Sequence, residues 1–245
     1  MPRTTLALTS FVSGEFSAKM DGRTDFDKYS SGTKTLENFL VHPQGAATRR
    51  VGTQFIAEVK DSSKKTRLIP FEFSTTQTYI MEFGDQYIRF FKDKGQILSG
   101  GSAYEISSPF LEAELFDIKF AQSADVMYLC HPNHDVRKLS RTGHTSWTLA
   151  TVSFSGSPSL PISGSNNRPS CVSFFEQRLV FANTNNNPQT LWFSKAGDYE
   201  NFTTGTNADD AMIYTIASNQ VNAIQYLKAV RTLIVGTSGG EFTVS

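Results

Sequence analysis

The sequence predicts a mostly β protein, built of β-propeller-like blades of antiparallel strands behind an N-terminal platform-like segment. Three observations carry this reading. A short aromatic or β-branched run, a turn, a second such run and then Gly, Asn or Asp recurs about four times, starting at Thr78, Val126, Arg178 and Thr232, at intervals of 48, 52 and 54 residues. A fixed period near ~50 residues, with strands inside each unit, is how propeller blades read in sequence. The 20 Phe residues supply ample aromatic mass for packing strands. Finally, at 245 residues the chain fits one large all-β unit or two domains better than three.

The first part of the chain differs from the rest. Gly14, Gly22, Gly32, Gly45 and Gly52 are separated by turn-prone Ser, Asp and Lys. One short helix is expected over Asp25 to Phe39, with Asp25 as its N-cap, although Ser30-Ser31-Gly32 interrupts the pattern. Val51 to Val59 reads as a strand, and the charged loop from Lys60 to Lys65 marks a boundary. The expected organisation is residues 1–65 as a docking segment and residues 66–245 as a partial propeller of three to four blades.

Beyond the boundary, strand and turn alternate. Leu68 to Phe73, Tyr79 to Phe83 and Tyr87 to Phe91 form a meander, with turns at Gly84-Asp85 and at Lys92-Asp93-Lys94-Gly95. Asp117 to Ala121, Val126 to Cys130, Val136 to Leu139 and Trp147 to Phe154 make a set of four. A Ser/Gly/Pro/Asn-rich stretch, Ser155 to Ser170, separates it from Cys171 to Phe175, Arg178 to Ala182, Thr190 to Ser194 and a short strand near Phe202. The last set is Ala223 to Leu227, Thr232 to Val235 and Glu241 to Val244. Because propellers close with about four to eight blades, three to four units point either to surface supplied by neighbouring subunits or to a chain that is incomplete at its C-terminus, and the second is the expectation.

Composition excludes several function classes. No apolar run approaches the ~20 residues of a membrane-spanning helix, and Met1-Pro2-Arg3-Thr4-Thr5 lacks a signal-peptide core, so assembly inside a cell is expected. Net charge is zero, with 11 Lys/Arg against 7 Asp/Glu in residues 1–70 and 12 against 16 thereafter. That balance argues against gripping nucleic acid over the whole surface, which rests on clustered cations. Cys130 and Cys171 each fall within a strand and are expected to be reduced core residues.

No string carries chemistry convincingly, so no enzyme, cofactor or metal is expected. Cys130-His131-Pro132-Asn133-His134-Asp135 offers four potential ligands, but Pro132-Asn133 reads as a hairpin turn and no second Cys/His group completes a tetrahedral site. Gly236-Thr237-Ser238-Gly239-Gly240 spells the hydrolase elbow, yet it lies between two strands rather than between a strand and a helix. Asp198, Glu200, Asp209 and Asp210 are the acids a glycosidase would need, but they read as turn and loop residues.

Taken in order, Phe175-Glu176-Gln177-Arg178-Leu179-Val180-Phe181, Leu191-Trp192-Phe193-Ser194-Lys195, Asp198-Tyr199-Glu200-Asn201-Phe202, Ala208-Asp209-Asp210-Ala211-Met212, Ile224-Gln225-Tyr226-Leu227 and Leu233-Ile234-Val235-Gly236-Thr237 with Glu241-Phe242 resemble the tail nozzle proteins of short-tailed bacteriophages, also called tail tubular protein B. Ser13-Gly14-Glu15-Phe16-Ser17, Asp21-Gly22-Arg23-Thr24-Asp25, Tyr29, Leu36-Glu37-Asn38-Phe39 and the stretch from Gly45 through Arg49-Arg50-Val51-Gly52-Thr53 extend the resemblance over most of the chain. The family is usually much longer, and Val51 stands where it often has proline.

The resemblance implies a structural virion protein, typically a ring of six copies below the portal adaptor, located in the virion tail and assembled in the host cytoplasm. Its implied partners are copies of itself, the tail adaptor, tail fibres and double-stranded DNA in transit. Arg23, Arg49 and Arg50 are the candidate subunit or adaptor interface, because planar guanidinium forks suit interface carboxylates, and capping of local loops is the alternative role for them. The alternative is a glycan-binding or glycan-hydrolysing propeller acting in host recognition.

Overall fold

The computed structural model describes residues 7–156, 162–217 and 220–244. With 45% strand against 4% helix, the chain is mostly β, and its four small antiparallel sheets lie in a ring that resembles a four-bladed β-propeller. The chain divides into two compact units, residues 1–55 and residues 56–245.

The smaller unit is held by short pairings. Gly14–Glu15 runs parallel to Gly32–Thr33, and Phe39–Val41 pairs antiparallel with Ala47–Arg49. The Phe16 ring stacks on Tyr29 at 5.9 Å and meets the Phe26 ring edge-on at 6.3 Å. A Cβ at Gly32 would lie 2.1 Å from Phe16 Cε2, so the ring occupies the place of a side chain there. The helix expected over Asp25 to Phe39 does not form. Residues 29–31 make a single 3-10 turn, Gly32 enters a strand, and Asn38 has a φ of 62°. Asp25 caps nothing, because Arg23 Nε and Nη2 donate to its two carboxylate oxygens at 2.8 and 2.7 Å. The strand expected over Val51 to Val59 is also absent. Its backbone joins no ladder, and Val51 and Phe55 stand 83% and 76% exposed, so neither pairing nor burial favours a strand.

In the larger unit, the first sheet comprises β1 (Arg67–Glu72), β2 (Thr78–Gly84), β3 (Tyr87–Lys92) and β4 (Glu105–Ser107), in the order β4-β3-β2-β1, with a short fifth strand, Gly95–Gln96, paired to β3. The second is β5 (Lys119–Ser123), β6 (Val126–His131), β7 (His134–Gly143) and β8 (Ser146–Thr151), each paired with the next. The third is β9 (Cys171–Phe175), β10 (Arg178–Ala182), β11 (Thr190–Phe193) and β12 (Met212–Thr215), and the fourth is β13 (Ile224–Ala229), β14 (Leu233–Thr237) and β15 (Gly240–Val244). The recurring sequence pattern begins at the second strand of every sheet. The short strands Gly95–Gln96, Leu98–Ser99 and Ser102–Ala103 are not foreseen in the sequence, and two longer strands also depart from expectation. β4 has no counterpart in the sequence reading, and the fourth strand of the third sheet is Met212–Thr215 rather than a segment at Phe202. There Asn201 makes only a single bridge to Ser155, while Phe202 drops its side chain into the core. Of the separator Ser155 to Ser170, residues 157–161 lie outside the described residues.

Three buried clusters form among the described residues, and strand parity decides which one a side chain enters. In β6, Met127 and Leu129 face the first sheet with Phe71, Phe83 and Phe90, while Tyr128 and Cys130 face the third sheet with Leu179 and Phe181. In β10, Leu179 and Phe181 face the second sheet, and Val180 and Ala182 face the fourth with Leu233 and Val235. Alternation across a strand produces this sorting directly. The first junction centres on Trp147, whose ring lies 4.4 Å from Phe90 in a stacked pair and 4.8 and 5.2 Å from Phe71 and Tyr79 edge-on.

Arginines tie the sheets where cores end. Arg67 Nη1 donates to the carbonyls of Leu115 and Ile118, both at 2.8 Å, joining β1 to the run into the second sheet. Arg141 pairs with Asp125 at 2.7 Å, and its guanidinium lies 4.2 Å from the Phe73 ring centroid. Arg178 is buried and donates to the carbonyls of Ser194, Asp210 and Ala208, each at 2.7 Å. Between the first strands, a cavity of about 160 Å³ is lined by Arg67, Phe120, Cys171 and Tyr226, one residue from each sheet.

Trp147→Ala is expected to destabilise the protein by ~3–5 kcal/mol, the range for deleting a large buried aromatic. Leu68→Ala, on the opposite and 64% exposed face of the first sheet, should change stability by no more than about 0.5 kcal/mol. Urea unfolding of the two variants checks the assignment of faces, and equal effects would reject it.

Candidate functional site

Arg49 closes the strand Ala47–Arg49, and the backbone N–H of Arg50 donates to Asn38 at 2.9 Å, so the Phe39–Arg49 hairpin fixes both residues. Their guanidinium groups are exposed and have no ion-pair or hydrogen-bond partner among the described residues. Phe39, Leu40 and Val51 beside them are 48%, 55% and 83% exposed. Exposed aromatic and arginine side chains placed side by side are a composition enriched at interface cores. Arg23 belongs to the same unit but is occupied by Asp25, which leaves it less available than Arg49 and Arg50.

Three of the four carboxylates, those of Glu200, Asp209 and Asp210, are engaged by neighbouring side chains. Glu200 Oε1 accepts from Tyr128 Oη at 2.9 Å and Lys138 Nζ at 2.5 Å, spanning the second and third sheets. Burial first, and then Glu200, push the Tyr128 phenol well above its ordinary range. Lys195 Nζ contacts Asp209 at 3.1 Å and Asp210 at 3.4 Å. Asp198 lies in the turn 195–198, where its N–H donates to Lys195. A groove of about 300 Å³ is lined by Tyr128, Lys138, Asp198, Tyr199 and Glu200. The Gly236–Gly240 string is the β14–β15 hairpin, closed by Thr237 opposite Gly240.

The His131–His134 segment is a hairpin between β6 and β7, as its Pro132-Asn133 turn predicts. What the sequence reading missed is Glu114, at the end of the 3-10 turn Glu112–Glu114 between the first and second sheets. Its Oε2 accepts from His134 Nε2 at 2.7 Å and from the Leu111 N–H at 3.0 Å, and its Oε1 accepts from Asn133 Nδ2 at 3.0 Å. Burial alone would raise this carboxyl, but those donors outweigh it and hold Glu114 at about 2. The buried His131 accepts the Asn133 N–H on Nδ1 at 3.1 Å, and burial pushes its pKa down, favouring the neutral ring. One ligand atom from each of Glu114, His131 and His134 lies within 4.8 Å of the others. Nothing in local spacing announces Glu114, because it reaches the hairpin from another connection.

Cys130 and Cys171 are free and buried, and burial raises both thiols. Among the described residues, no helix is long and apolar enough to cross a membrane. Compared with known proteins, the chain matches no family model, and no curated protein matches it.

Because Arg49 and Arg50 hydrogen-bond to no acid or carbonyl among the described residues with their side chains, the double replacement Arg49→Ala, Arg50→Ala should shift stability by no more than about 0.5 kcal/mol. Thermal unfolding checks this. A loss several times larger would show that both arginines serve the fold itself.

Proposed function

We propose that the protein is a structural virion protein of the tail nozzle kind, acting as a subunit of a ring that conducts the genome. The observation that carries this reading is the ordered resemblance of its residues to that family over most of the chain, in a body that is propeller-like. The exposed arginine-aromatic surface of the N-terminal unit supports it, since a ring needs faces that mate with a copy or an adaptor. In this reading the genome runs through the hole of the ring, between subunits, and not through the propeller of any one of them. A chain of zero net charge suits such a wall, because a strongly cationic one would retain DNA through counterion release.

The groove between the second and third sheets favours a second reading. Tyr128, Tyr199, Asp198, Lys138 and Glu200 combine ring faces with hydrogen-bonding groups, which is the chemistry that holds a sugar. Glu200 is already committed to Tyr128 and Lys138, so binding in host recognition fits this groove better than hydrolysis.

Light scattering and negative-stain imaging of the protein taken from its producing particle test the two. A ring of six copies with a central hole is expected, and a compact monomer would overturn the nozzle reading in favour of the glycan one. In the ring, Arg49→Ala with Arg50→Ala should weaken assembly while the fold persists. Unchanged assembly would remove these arginines from the interface.

A further inference from the structure

We propose that Glu114, His131 and His134 form a binding site for a divalent transition-metal ion of the zinc type, which staples the connection between the first two sheets to the β6–β7 hairpin. Two imidazoles and one carboxylate are a donor set that such ions favour, with nitrogen and oxygen at ~2.0–2.2 Å. In a tetrahedral complex those bond lengths place the ligand atoms roughly 3.3 Å apart. The three ligand atoms here lie within 4.8 Å, with the His134–Glu114 pair at 2.7 Å, so opening of that pair by about 0.6 Å and approach of His131 by at most about 1.5 Å create the geometry.

The surroundings fix the donors from two directions. The Phe110 ring meets His134 edge-on at 5.1 Å and His131 at 6.1 Å, restricting both imidazoles. Glu114 is oriented by the Leu111 N–H and by Asn133 Nδ2, outer partners of the sort that aim metal-binding carboxylates. Cys130 is not a fourth ligand, because it faces the other core on the opposite side of β6. Side-chain exposures of 14% for Glu114 and 20% for His134 leave room for water as the remaining ligand.

The proton and hydrogen-bond changes balance. The metal replaces the proton that His134 Nε2 shares with Glu114. That proton passes to solvent, and the neutral ring takes one from solvent on Nδ1. At His131, ligation through Nδ1 displaces the Asn133 N–H, while ligation through Nε2 moves the ring proton to Nδ1. In either case the amide of Asn133, an exposed residue, turns to water. No redox step is involved.

The test uses the full chain stripped with chelator and titrated with Zn²⁺ by calorimetry, and with Co²⁺ by visible absorption. One ion per chain is expected, without a thiolate charge-transfer band. His134→Gln and Glu114→Gln should each weaken binding about 100-fold or more, with circular dichroism showing that the variants remain folded. NMR of the unaltered protein gives a check that needs no variant. Of its four histidines, His131 and His134 should shift on adding Zn²⁺, while His42 and His144 should not. Absence of binding, binding that survives both substitutions, or shifts confined to His42 or His144 would overturn the proposal.

Discussion

The larger unit depends on one constraint: a sheet between two others must be apolar on both faces. β6 and β10 meet it by sending odd and even residues into different cores, so neither strand has a solvent side. A slip of one residue in β10 would exchange Phe181 for Ala182 or Val180, placing a large ring where a small side chain fits and the reverse. Register is therefore specified twice, once by each neighbour. The first sheet obeys a looser rule, since Leu68 and Ile80 on its other face are exposed.

Charge in this protein works mainly at the seams. Arg67, Arg141 and Arg178 reach across connections to carbonyls or to Asp125, each a charge-assisted contact stronger than a neutral hydrogen bond. Arg178 is the extreme case, a buried cation satisfied almost wholly by backbone oxygens of the loop 194–210. That loop has little regular structure of its own, so the guanidinium substitutes for a ladder. Glu114 does the same at the first junction with the opposite sign.

How much was legible in the sequence follows from these facts. Strands buried on both faces appear as unbroken apolar runs, so Val126 to Cys130 and the apolar run after Arg178, Leu179 to Ala182, are easy to read. The N-terminal unit has no buried cluster among its described residues, and its short pairings are set by contacts such as Phe16 over Gly32, which no periodicity encodes. Phe202 misled because a buried aromatic looks like a strand residue even when only its side chain is needed. The candidate sites divide the same way. Arg49 and Arg50 were visible as a dipeptide, whereas the histidine hairpin was visible without the acid that gives it meaning, since Glu114 sits 20 residues from His134.

The two thiols turn the sorting of side chains into a kinetic readout. Cys130 belongs to the core between the second and third sheets, and Cys171 to the core between the third and fourth. Both are shielded in the native state, so an alkylating reagent reaches either one only when its own junction opens. Modification rates at the two positions thus clock the parting of neighbouring sheets independently, without any introduced label.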